Sequence, residues 1–216
     1  MAFQDRLEAG RVLGELVAKL PDLKDGVVLG LVRGGVPVAY EVARACGLPL
    51  DILVVRKLGV PGQEELAMGA IASGGGVVLN EYIVRSYHVS EKKLEHVIAR
   101  ETQEMERREK LYREGRPAVD FTQRLVILVD DGLATGASMR AAIRAVKGRA
   151  GRVIIAVPVG AKSTCEELAQ EVDHVICARM PEPLDAVSLF YREFGPTSDE
   201  EVKALISRPM SIGMGN

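Results

Sequence analysis

The 216-residue chain is poor in cysteine and aromatic rings, lacks any long apolar run, and is close to charge-neutral. Each shortage excludes a class of protein. Cys46, Cys165 and Cys177 are odd in number, scattered and never in a CxxC pair, which suits neither a disulfide framework nor a zinc site. They read as small packing residues. The longest apolar run, VIIAVPVGA from Val153 to Ala161, is far too short to span a bilayer. The opening MAFQDRLEAGR carries charge where a signal peptide has its apolar core. A soluble, cytoplasmic protein without a membrane partner is expected. With 28 Lys and Arg against 30 Asp and Glu, the formal charge is −2, which gives no general attraction to nucleic acid. Any anionic ligand has to be held by local groups. Apolar residues at 47% and charged residues at 27% are the composition of a folded chain.

The apolar pattern divides the chain into alternating elements. Phe3 to Leu20 reads as an amphipathic helix with Leu7, Val12, Leu13, Leu16 and Val17 on one side, stopped by Pro21. VVLGLV (Val27 to Val32) reads as a buried strand, and PVAYEVARACG as a helix ended by Gly47. DILVVRK (Asp51 to Lys57) is a second strand. Leu58 to Gly69 is rich in Gly, Pro and charge and is expected to be a mobile loop. AIASGGGVVLN predicts a hairpin turning at Gly74 to Gly76, and Ser90 to Gly115 a long charged helix. LVILVDD, MRAAIRAVKGRAG, VIIAVPV, a helix from about Lys162 to Glu171 and HVICA complete the series. Continuous apolar strands alternating with helices predict an α/β fold, a parallel sheet with helices on both faces. One domain over residues 1–216 is expected. Its core spans about 25–180, and a small hood of about 181–206 joins the N-terminal helix.

Ligands of open α/β sheets bind outside the carboxyl ends of the strands. Three strands here end unusually, in VRGG (Val32 to Gly35), VRK (Val55 to Lys57) and DDGLATGAS (Asp130 to Ser138). In the last, Thr135 to Ser138 lead into a helix, where free backbone N–H groups and the helix dipole favour a phosphate. Asp130 and Asp131 would repel that phosphate, but carboxylates accept hydrogen bonds from sugar hydroxyls or bind Mg²⁺. The string therefore describes a sugar phosphate. Rival motifs fail: Ala137 stands where a Walker A loop needs lysine, and no GxGxxG is present.

VILVDDGLATGAS resembles the phosphoribosyl-diphosphate signature of the type I phosphoribosyltransferases. VRGG resembles the family's pyrophosphate loop, VRK precedes its flexible catalytic loop, and the three occur in the family's order over roughly Val27 to Ala178. The resemblance implies an Mg²⁺-dependent enzyme that transfers ribose 5-phosphate from phosphoribosyl diphosphate to a nitrogen acceptor, a nucleobase, and releases pyrophosphate. It assigns Asp130 and Asp131 to the ribose hydroxyls, directly or through Mg²⁺. The 5-phosphate would fall to Leu133, Ala134, Thr135, Gly136, Ala137 and Ser138. Pyrophosphate would fall to Arg33, Gly34 and Gly35, with Arg56 and Lys57 adding catalytic charge. A non-proline cis peptide is expected near Val32–Arg33–Gly34.

Some relatives carry an acid directly before the Thr-Gly pair; here Ala134 stands there, so any general base comes from elsewhere, Glu64 and Glu65 being the candidates. Phe190, Tyr191 and Phe194 cluster in the expected hood and would either stack on a base or form the hood's own core. His88, His96 and His174 lie in no ligand spacing. A homo-oligomer, a dimer, is expected. The alternative function is a regulatory protein that senses phosphoribosyl diphosphate or nucleotides without catalysis.

Overall fold

The computed structural model describes residues 2–208. The chain opens with α1 (Arg6–Val17), capped where the Asp5 side chain accepts from the Glu8 amide. β1 (Val27–Val32) leads to α2 (Gly35–Cys46), which ends at Gly47 in the left-handed conformation that glycine adopts freely. β2 (Leu50–Val60), β3 (Gln63–Ala72) and β4 (Gly76–Leu79) form a meander, followed by α3 (Glu81–Ser86) and α4 (Glu91–Arg113). Then come β5 (Leu125–Val129), α5 (Ala137–Lys147), β6 (Arg152–Val159), α6 (Lys162–Leu168), β7 (His174–Arg179) and α7 (Asp199–Ser207).

The seven strands form one sheet in the order β4-β3-β2-β1-β5-β6-β7. β1, β2, β5, β6 and β7 are parallel, and β3 and β4 add an antiparallel edge. The fold is α/β as expected. Central strands buried on both sides explain why VVLGLV and LVILV are apolar without alternation. On one face Val28, Ile127 and Ile154 pack against Leu13, Val17, Val38 and Val42 of α1 and α2. On the other, Leu29, Leu128 and Ile155 meet Ile143, Val146 and Leu168 of α5 and α6. Among the described residues no helix is long and apolar enough to cross a membrane.

Two expectations change. Leu58 to Gly69 is not a loop: it is the paired part of β2 and β3. Its glycines serve the pairing. Register shifts flank Gly59, where a Cβ would lie 2.4 Å from the Glu64 carbonyl oxygen, and Pro61–Gly62 make the turn with Gly62 at φ +83. Leu58, Val60 and Met68 are buried with Val97, Met105 and Tyr112 of α4. The hood is also smaller than residues 181–206. Residues 190–193 pair with the chain's start, through Phe3 N to Phe190 O at 2.8 Å and Arg192 N to Phe3 O at 2.8 Å. α7 leaves the hood and buries Val202 and Leu205 with Val36 and Tyr112. Most of α1 covers the sheet as an ordinary core helix, and only its first turn reaches the hood.

Asp51, at the start of β2, holds the far end of α4 in place. Its buried carboxylate accepts from Arg113 Nη1 and from the Val119 amide at 2.8 Å. Asp51→Ala leaves the Val119 amide without its acceptor and the Arg113 guanidinium with Glu109 as its remaining carboxylate. It is expected to lower unfolding stability by about 3–5 kcal/mol in urea titration, the range for breaking a buried ion pair.

Candidate active site

Neighbouring parallel strands bring two of the three marked loops together. β1 and β5 pair with Gly30 opposite Val129, so the residues after each strand share one rim. A Cβ on Gly34 would lie 2.2 Å from Asp131 Oδ2, and one on Gly35 would lie 2.6 Å from the Val129 carbonyl oxygen and 2.9 Å from Asp130 Cα. Only glycines let the start of α2 lie so close to the two aspartates. The Val32–Arg33 peptide is cis, where the sequence placed it.

The aspartates are crowded and partly desolvated. Asp130 Oδ1 accepts from the Asp131 amide at 2.9 Å. Burial, then the neighbouring Asp131 charge, pushes the Asp130 carboxyl well above its ordinary value, while Arg6 and Lys57 pull the other way. Burial also raises Asp131, opposed by Arg6. Arg6 was missed by sequence reading. Its Nε donates to Asp131 Oδ2 at 2.8 Å, its Nη1 to the Gly195 carbonyl at 2.7 Å, and its guanidinium lies 3.9 Å over the Phe194 ring. Arg6 sits on a helix read only for its apolar stripe, 125 residues from its partner. No local signal marks such a contact.

The loop expected to hold a phosphate runs from the end of β5 into the start of α5. Gly136, at φ +76, caps α5, and no side chain caps the helix. The Leu133 amide is bonded to the Val159 carbonyl at 2.9 Å, and its side chain is 2% exposed in the core. Ala134 offers only backbone, and its carbonyl already accepts from Thr164 Oγ1 at 2.7 Å. The helix amides that precede the first bonded one, Arg140 N to the Gly136 carbonyl at 2.8 Å, are those of Ala137, Ser138 and Met139. A Cβ on Gly136 would lie 2.8 Å from Thr164 Cγ2, so packing of α6 demands this glycine whether or not a phosphate approaches. Thr135, Ala137 and Arg140 border a cavity of about 530 Å³ closed by Gly69, Leu79 and Asn80.

The two adjacent cations part company. Successive residues of a strand face opposite sides. Arg56 follows Val54 toward α4, where it hydrogen-bonds the buried Glu101 through Nε at 2.7 Å, away from the aspartates. In this structure Arg56 is thus engaged in an ion pair with Glu101. Lys57 turns to the other face, is exposed, and acts on Asp130. The Arg33 side chain reaches Asp199 at 3.6 Å, with the two side chains 41% and 39% exposed, a weak contact that a ligand can replace. Tyr191 is buried, its ring centroid lies 5.7 Å from Phe3 and 4.7 Å from Phe194, and its hydroxyl donates to the Asp131 carbonyl at 2.6 Å. Phe190 packs against the same cluster. The aromatics form the hood's core. Glu64 and Glu65 lie on β3 beside the hairpin tip, exposed, with Glu64 Oε1 accepting from the Gly62 amide at 3.3 Å. His88, His96 and His174 are exposed.

Arg6→Met leaves Asp131 beside Asp130 without its cation; Arg6 and Asp131 are only 13% and 18% exposed. A carboxyl raised in the folded state contributes stability at low pH that is lost as pH rises from about 4. Arg6→Met is expected to steepen that loss and to cost about 3 kcal/mol at pH 7.5. Adding Asp131→Asn should recover most of it, read from urea midpoints at pH 4.5 and 7.5.

Comparison with known proteins fits this rim of loops. The model of the family described as "Phosphoribosyl transferase domain" matches residues 4–179. Curated proteins from two strains of Mycobacterium tuberculosis, each carrying a provisional phosphoribosyl transferase name, are 45% identical over 207 residues. The match covers 95% of this chain and 46% of theirs, so the chain spans about half the length of these relatives. The crystal structure of TT1426 from Thermus thermophilus is 42% identical, covering 95% of this chain and 98% of that one with a TM-score of 0.79. The glycine loop pressed on twin aspartates and the helix start beside them are thus carried by a chain that belongs to the phosphoribosyl transferase domain family, in the type I group that its signature resembles.

Proposed function

We propose that this chain transfers ribose 5-phosphate from phosphoribosyl diphosphate to a nitrogen acceptor, a nucleobase-like ring, with release of pyrophosphate. The observation that carries the reading is the approach of Gly34 and Gly35 to Asp131 and Asp130 beside the α5 start. Three binding functions meet there within one rim: amides and hydroxyls of residues 135–138 for the 5-phosphate, a carboxylate for ribose hydroxyls, and the Arg33–Gly35 loop for pyrophosphate.

In the reaction the C1–oxygen bond to pyrophosphate breaks as the acceptor nitrogen forms its bond to C1, and the ribose gains oxocarbenium character. In this reading the Asp130 carboxylate accepts hydrogen bonds from the ribose hydroxyls, and its negative charge favours the cationic sugar. Lys57 and Arg33 supply the positive charge that would neutralise the leaving pyrophosphate. The residues present fit an Mg²⁺ held mainly by substrate oxygens. Among the described residues no group of three or more His, Cys, Asp or Glu could hold a metal, while the desolvated Asp130 offers one hard oxygen ligand whose charge a cation would offset. Bound there, Mg²⁺ would supply charge neutralisation on the leaving group. Val187, which packs against the aromatic cluster of the hood, is the residue this reading assigns to the edge of the acceptor site. It seats on Gly132, whose Cβ would lie 2.3 Å from Val187 Cγ1.

A non-catalytic sensor is the second reading, favoured by the engagement of Asp131 with Arg6 and of Arg56 with Glu101. Pyrophosphate release from phosphoribosyl diphosphate and Mg²⁺, measured across a panel of bases, separates the two. Transfer gives release with one class of acceptor; binding without release with any of them supports the sensor and ends the transferase reading. In the transferase, Asp130→Asn is expected to lower kcat by about 10²–10³-fold, the loss seen when one preorganised charge-stabilising group is removed.

The two neighbouring cations should behave oppositely. Lys57→Ala is expected to reduce kcat/KM by about tenfold or more, equivalent to losing a charge-assisted contact of about 1.5–3 kcal/mol, with unchanged stability. Arg56→Met is expected to lower stability by about 1–3 kcal/mol while the folded fraction keeps its activity.

A further inference from the structure

A second charged cavity lies away from the aspartates, where the tip of the β2–β3 hairpin rests on the start of α4. It measures about 470 Å³ and is lined by Gly59, Pro61, Gly62 and Glu64 of the hairpin and by Ser90, Lys92, Lys93, His96, Val97 and Arg100. Lys92, His96 and Arg100 recur every four residues, so they stand in one row on the helix, with Lys93 beside them. The row is about 12 Å long at 1.5 Å per residue. Only Glu64 among the lining residues is acidic, and its carboxylate already accepts from the Gly62 amide. Arg100 donates to Glu101 through Nε at 3.0 Å, yet its side chain is 52% exposed and its remaining N–H groups are available. Ser90 precedes α4 without its hydroxyl capping the helix, so the positive end of a 23-residue helix adds to the same field. Beneath the cations, buried Val97 and the Pro61 ring give an apolar floor.

We propose that this cavity is a second ligand site, distinct from the aspartate rim, that takes a nucleoside di- or triphosphate. A single phosphate needs neither a row of this length nor a cavity of this volume, which falls in the range of about 300–1,000 Å³ used by small-molecule sites. The phosphate chain lies along Lys92, Lys93, His96 and Arg100, and the nucleoside rests on Pro61 and Val97. The chain's overall charge of −2 makes this local excess of cations a specific feature rather than a general basic surface. Because one wall is the hairpin that also carries Lys57, an occupant would brace that hairpin. The proposal does not depend on the transferase reading.

Calorimetric titration of the full chain with ATP tests it, with inorganic tripolyphosphate as a second probe. ATP is expected to bind, to resist displacement by excess phosphoribosyl diphosphate, and to bind at least tenfold more tightly than tripolyphosphate. Lys92→Glu/Lys93→Glu, on exposed side chains, is expected to weaken ATP at least tenfold. Lys19→Glu/Lys24→Glu, an equal charge change on exposed lysines elsewhere, should leave it unaltered. Absence of ATP binding, displacement by phosphoribosyl diphosphate, or equal losses in the two double variants would overturn the site. Equal affinity for tripolyphosphate would overturn the nucleoside assignment.

Discussion

The site is organised around the problem of keeping two adjacent carboxylates at a partly buried strand end. Isolated there, each would favour its neutral form, and together they would repel. Arg6 resolves half of the problem by taking Asp131, which leaves Asp130 as the acid still short of a counter-charge. That division follows from the fold. The first turn of α1 is brought to the rim because the residue pair before it, Phe3 and Gln4, is hydrogen-bonded to the hood segment at 190–193. The Gly195 carbonyl and the Phe194 ring then fix the guanidinium from the hood side. Hood and aspartate rim are one electrostatic unit, not a scaffold with a cap laid over it.

How much of this could be read in the letters depends on how far apart the interacting groups lie. The strand-to-helix loop from Val129 to Ser138 and the VRGG turn are contiguous stretches whose chemistry is written locally, and both stand at the rim as expected. Arg6 with Asp131, and the Tyr191 hydroxyl with the Asp131 carbonyl, join residues more than half the chain apart in the first case and 60 residues apart in the second. Neither leaves a periodic or compositional mark. The use of the Leu133 backbone is hidden for a different reason. The residue belongs to the signature string, yet its backbone closes a bridge to the end of β6, and that use of the amide is invisible without the neighbouring strand.

The hairpin carries the opposite lesson. Its glycines and proline suggested a flexible loop, but Gly59 accommodates the irregular pairing, Gly62 the turn, and the apolar Leu58, Val60 and Met68 were the better guide. Buried residues at 54, 58 and 60 already imply which way Arg56 must point. The alternation was present in the sequence; reading VRK as a single charged patch concealed it.

That alternation makes the hairpin a discrete selector rather than a graded one. Losing a single residue from β2 ahead of Arg56 would move every following side chain to the other side of the sheet. The guanidinium would swing toward the aspartate rim and the ammonium would be sent to meet Glu101. The local net charge would not change, yet the flat, forked cation and the compact one would have traded places. Length variation in this strand therefore acts on which kind of positive group the crevice receives, a property that substitution at either position alone does not reproduce.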